Sequence, residues 1–142
     1  DLTQQLQQLT GTWELRWSSS SQPWLKQPPG LLNLQILDPE QGKGRNILQL
    51  GGPRGQLACI QVDAEISVVS QQRVNVSFKR GGWVGPSIAG RKLQLLRTIE
   101  QSFPAWLDIT VVDDALRICR GNAGTTFCLL KRPDIPLPDW SL

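Results

Sequence analysis

The sequence predicts an all-β fold, an antiparallel barrel of about eight to nine strands preceded by a short N-terminal helix. Three observations carry that expectation. From Ala58 to Val68 the even positions are apolar and the odd ones mostly polar, the period-2 signature of a half-buried strand. Turn-forming Gly, Pro, Asp and Ser clusters recur roughly every ten residues, the spacing of a sandwich or barrel. Only one segment, Leu2, Leu6 and Leu9, has helical spacing.

Each element follows in order. The Leu2–Leu9 helix stops by Gly11. Thr12 to Trp17 then alternates, with Trp13, Leu15 and Trp17 on one face, which reads as a strand whose tryptophans face the core. Ser18 to Gly30, rich in Ser and Pro, is a long loop bearing Trp24. Leu31–Leu37 and Arg45–Leu50 are strands joined by the turn Asp38-Pro39-Glu40-Gln41-Gly42. Gly51 to Gly55 breaks the chain, and the long strand Ala58–Val68 turns at Ser70-Gln71-Gln72 into Val74, Val76 and Phe78, giving an antiparallel pair. Gly81 to Gly90 reads as a second Gly/Pro loop, carrying Trp83. Strands follow at Lys92–Thr98, Leu107–Val112, Leu116–Arg120 and Thr125–Lys131, and the proline-rich tail from Pro133 reads as an extended strap. The whole chain, residues 1–142, is expected to be one domain.

Composition narrows the chemistry. The chain has no His and no Tyr, which removes the commonest general base and metal ligand. Its three cysteines, Cys59, Cys119 and Cys128, form no CxxC pair, so no metal site and no catalytic residue is assigned. The net charge of +3 is spread without a basic run, which argues against nucleic-acid binding. No apolar run approaches the ~20 residues of a spanning helix, so membrane contact is expected to be peripheral. Asp1-Leu2-Thr3-Gln4-Gln5 carries no secretory pattern and no initiator Met, and reads as a trimmed or mature start.

Two motifs add identity. Gly11-Thr12-Trp13, after a helix and opening the first strand, is the GxW pattern of lipocalins. In that fold Gly permits a sharp turn, Trp plugs the closed end, and an Arg from the far end of the chain stacks over it; Arg117, Arg120 or Arg132 is placed to do so, and Arg120 is assigned to the plug with Gly11 and Trp13. The segment from Trp106 to Leu130, with Asp113-Asp114-Ala115-Leu116-Arg117-Ile118-Cys119-Arg120-Gly121 at its centre and Phe127 in the last strand, resembles the C-terminal signature of the plastid lipid-associated proteins, or fibrillins. Gly11-Thr12-Trp13-Glu14-Leu15 followed by Trp17 and serines resembles that family's opening, although Trp17 and Val111 or Val112 stand at its usual Tyr positions.

The resemblance implies a lipocalin-like barrel at thylakoids and plastoglobules of a chloroplast, or at the thylakoid periphery of a cyanobacterium. It implies non-catalytic carriage of a carotenoid, prenylquinone or fatty acid, with no cofactor. On this reading Ala58, Ile60, Val62, Ala64, Ile66, Val76 and Phe78 form the apolar wall of the ligand site, with Trp17 and Arg117 contributing. Trp24 and Trp83, on their loops, meet a lipid surface or the ligand. The expected partners are an apolar ligand and a peripheral lipid surface, with the chain a monomer. Two readings stand beside it: a filled barrel serving as a protein-interaction module, and a lipocalin-type bilin lyase, which would need acid–base groups inside the cup.

Within the signature, Leu116, Ile118 and Arg120 should share one face, and Arg117 and Cys119 the other. Arg117 and Arg120 either hold a polar headgroup or pair with Asp108, Asp113 or Asp114 to lock the hairpin. Gly121-Asn122-Ala123-Gly124 is a tight turn; if centred between Ala123 and Gly124, it sets Cys119 opposite Cys128, as two thiols or as a disulfide.

Overall fold

The computed structural model describes residues 5–19, 31–50, 59–88, 91–99 and 105–140. The alternating segments form nine strands among these residues: β1 (Gly11–Ser18), β2 (Leu31–Asp38), β3 (Lys43–Leu50), β4 (Cys59–Val68), β5 (Arg73–Ile88), β6 (Arg91–Thr98), β7 (Ala105–Val112), β8 (Leu116–Gly121) and β9 (Thr126–Lys131). The helix α1 spans Leu6–Leu9, and Leu2 lies outside the described residues. Every pairing is antiparallel, in the order β4-β3-β2-β1-β9-β8-β7-β5-β6, and β4 also pairs with β5. That last contact closes β1–β5 and β7–β9 into an eight-stranded ring. β6 stands outside the ring.

The position of β6 corrects the sequence reading of Gly81–Gly90 as a loop, because β5 runs straight through to Ile88. Its lower half, Arg73–Val76, pairs with β7, and its upper half, Arg80–Ile88, pairs with β6. Glycine and proline are tolerated for separate reasons. At Gly82, where φ is +153°, a Cβ would lie 2.1 Å from the Leu95 carbonyl oxygen, so only glycine lets the two backbones approach. Pro86 falls where the β5–β6 register is interrupted between Val84 and Ser87, and so its missing N–H costs no ladder bond.

The strands put the α1 end of the barrel at the bottom, with the turns after β2, β4 and β7. The core there comprises Leu9, Trp13, Leu15, Leu37, Ile66, Val74, Ile109, Cys119 and Leu129. The Trp13 indole N–H donates to the Leu9 carbonyl at 2.9 Å, tying the short helix to the first strand. Gly11, at φ +136°, makes the turn between them, and the Lys131 side chain lies where a Cβ would point.

The tail is a strap, as the prolines suggested, laid on the outer face of β2 and β3. Trp140 donates from its indole N–H to Asp38 at 3.0 Å, and the Arg45 guanidinium sits 5.2 Å from the Trp140 ring centre. Leu34 and Ile36, on that outer face, are buried.

The β8–β9 register settles the cysteines. Cys119 pairs with Phe127 and Cys128 with Ile118, one residue away from the expected pairing. A one-residue shift sends the two side chains to opposite faces. Cys119 is buried inside, Cys128 lies outside, and both are free thiols.

Candidate functional site: the barrel cavity and its floor

Above the bottom core the barrel is hollow. A cavity of about 400 Å³ is bounded on one side by Val62, Ala64, Ile66, Val74, Val76 and Phe78 of β4 and β5. Its size falls within the usual range of small-molecule sites, roughly 300–1,000 Å³. The small side chains make the room: Ala64 lies between Gly44 on β3 and Phe78 on β5. Beside this apolar wall, β2 and β3 supply a polar stripe of Asn33, Gln35 and Asn46, with Asn46 paired to Gln35 on one side and to Val62 on the other. Trp106, Asn122, Ala123 and Thr125 lie toward the upper end. The Trp106 side chain itself lies on the outer face, where the Arg73 guanidinium stacks 3.9 Å from its ring centre and donates to Asp108 at 2.7 and 2.9 Å. No Asp, Glu, Lys or Cys lines the cavity among the described residues.

Beneath the cavity sits Arg117. Its side chain is wholly buried, and its guanidinium lies 5.0 Å from the Trp13 ring centre, with the Lys131 ammonium at 5.0 Å from the same ring. Nη2 donates to the Gln35 side-chain oxygen, whereas Nε and Nη1 have no hydrogen-bond partner. Burial draws its pKa down. Burial also pushes the neighbouring Cys119 thiol up, against the pull of Arg117, so it offers no counter-charge.

The site residues expected from the sequence divide accordingly. Val62, Ala64, Ile66, Val76 and Phe78 line the cavity. Ala58 and Trp24 lie outside the described residues. Ile60 is a correction: it shares the inward face of β4 but is 54% exposed. Above the irregularity at Asp63/Ala64, β5 pairs with β6 instead of β7, so the ring is no longer closed around Ile60. Trp17 is a second correction, at 55% exposed. A register shift between Leu15 and Trp17 in the β1–β9 pairing breaks the alternation, and Trp17 falls outside in a row with Cys128, Ile118 and Val111.

The plug arginine is a third correction. Arg117, not Arg120, covers Trp13, because Arg117 shares the inward face with Cys119 while Arg120 is exposed on the outside. Neither makes an ion pair with the acidic residues among the described residues, although Arg120 stands directly across from Asp108 and adds to Arg73 in drawing its pKa down. Asp108 is taken by Arg73, and Asp113 accepts from the backbone of Ala115 and Leu116 in its own turn. Sequence alone missed Gln35, Asn33 and Asn46. Their inward placement is readable only once Trp13 is known to pair with Gln35.

Trp83 belongs to a lip above the mouth. Ile60, Trp83 and Leu95 are consecutive cross-strand partners on β4, β5 and β6, and all three are exposed. Arg97 stands one step along β6 on the same face, opposite Gly81.

No curated protein sequence matches the chain. The model of one family, PAP_fibrillin, matches residues 1–130, which takes in the whole barrel except the last residue of β9 and leaves the strap outside. With that match covering nine-tenths of its length, the chain belongs to the PAP_fibrillin family of plastid lipid-associated proteins, a family generally structural and lipid-associated, not catalytic.

Proposed function

We propose that this protein binds one apolar lipid or isoprenoid, such as a carotenoid, prenylquinone or fatty acid, inside the barrel without catalysing a reaction. It does so at thylakoid or plastoglobule-type lipid surfaces, in a chloroplast or at a cyanobacterial thylakoid, as a monomer. The observation that carries the reading is the cavity: about 400 Å³ with an aliphatic wall from Val62 to Phe78. Burying ~300 Å² of ligand at ~25 cal/mol per Å² contributes about 7 kcal/mol before association costs, which corresponds to micromolar affinity at best. The row of Ile60, Trp83 and Leu95, continuing the β4 wall past the mouth, supports contact with a lipid interface, where tryptophan is favoured. The lyase reading has no Asp, Glu, Lys or Cys on the cavity wall among the described residues to support it.

Intrinsic fluorescence tests the proposal, because Trp13 stands in the buried floor beneath the cavity. Titration with a short-chain plastoquinone should quench emission saturably in the micromolar range, and Trp106→Phe, on the outer face, should leave most of that quenching in place. Quenching no greater than that of an unrelated β protein would refute the carrier reading.

A further inference from the structure

A buried cation usually has an acid beside it, since the cost of desolvating an unpaired charge is several kcal/mol. Arg117 has none. It takes part in no ion pair among the described residues, and its only hydrogen bond goes to the neutral amide of Gln35. Guanidinium does not escape the cost by losing its proton. Its immediate neighbours leave the charge unbalanced: Trp13 covers one side, Lys131 is a second cation, and Cys119 is held as a neutral thiol. The cation–π contact with Trp13 compensates only in part.

Gln35 connects this group to the cavity. The same side chain lines the space above and accepts from Nη2 below. We propose that Arg117 is a headgroup site, and that the preferred ligand is a long-chain carboxylate bound head first, its alkyl chain along the β4–β5 wall. The inference rests on the carrier reading and narrows its ligand class. Gln35 yields its place on Nη2, the carboxylate takes Nη1 and Nη2 together, and the freed amide of Gln35 turns its N–H donors to the same carboxylate. A carboxylate suits the site in two respects. It is planar with two acceptor oxygens, matching the guanidinium fork, and its single charge balances one arginine. The Asn33 and Asn46 side of the cavity provides polar surface along the way in.

The test compares hexadecanoate, hexadecanol and methyl hexadecanoate at pH 8 by displacement of a fluorescent apolar probe, with wild type and Arg117→Met. The wild type should bind the acid at least about tenfold more tightly than the alcohol or ester, as expected for a charge-assisted bond. Arg117→Met should bring the three within about twofold of one another, by weakening the acid far more than the alcohol or ester. Equal affinities in the wild type, or a preference that survives in Arg117→Met, would overturn the headgroup site and leave the carrier reading standing. If none of the three binds, the headgroup site falls, and the quinone titration alone decides the carrier reading. Should Arg117→Met fail to fold, hexadecanoate labelled with ¹³C at the carboxyl decides on the wild type alone. A carboxyl signal that titrates well below its value in water supports the pairing, and one that titrates as in water refutes it.

Discussion

Replacing Ala64 by Leu distinguishes a hollow barrel from a filled one by the sign of the stability change. Ala64 points into the cavity with Gly44 and Phe78 as its strand partners, and is itself nearly buried. Leucine adds three carbons. If the space is real, the added atoms leave water at ~0.8 kcal/mol each, about 2.4 kcal/mol together. Fixing the new side chain costs about 0.5–1 kcal/mol in rotamer entropy. The variant should therefore gain roughly 1.5 kcal/mol. In urea, with a slope of about 2 kcal/mol per molar for a chain of this size, that raises the midpoint by about 0.7 M. In a packed core the same substitution costs about 1–3 kcal/mol through overpacking. Equilibrium urea unfolding followed by far-UV circular dichroism reads the difference. A lower midpoint at unchanged slope would refute the open cavity and favour the interaction-module reading.

Three further outcomes follow from the geometry. Trp140→Ala removes the bond to Asp38 and the stacking on Arg45, and should lower stability by about 1–2 kcal/mol in the same urea assay while leaving ligand affinity intact. Burial raises the Asp63 pKa, but hydrogen bonds from Arg45 and Arg80 outweigh it, so the folded value lies below the ordinary carboxylate one. Its contribution is therefore complete above about pH 4 and disappears as pH falls through the folded pKa; Asp63→Asn should be less stable by about 1–3 kcal/mol at pH 7, with the urea midpoints of the two proteins converging as the pH falls below the ordinary carboxylate range. Gly82→Ala places a methyl against the Leu95 carbonyl and should detach β6 from β5; flotation with anionic liposomes should then show weaker association while quinone binding in the ring persists.

The fold was legible where alternation was unbroken. Val62, Ala64, Ile66, Val76 and Phe78 were placed correctly because period-2 patterning maps directly onto the two faces of a strand. It failed wherever the register shifted. One irregularity beside Leu15 moved Trp17 from the expected core to the surface, and another beside Asp63 left Ile60 on the lip. The hairpin after β8 was read one residue out, which carried Cys128 to the outer face. Gly81–Gly90 misled for a different reason: glycine is usually a breaker, but here it permits close backbone approach within a strand. The polar stripe of Gln35 and its contact with Arg117 could not be read at all, because it depends on which strands lie side by side.

The most direct test of the central claim is the stoichiometry of prenylquinone binding to the wild type and to Ala64→Trp, whose indole should occupy the space between Gly44 and Phe78. The account predicts one saturable site per chain in the wild type, with micromolar affinity, and binding at least about tenfold weaker in the folded variant. Equal binding by the two proteins, or no saturable binding by the wild type, would contradict a ligand held within the barrel.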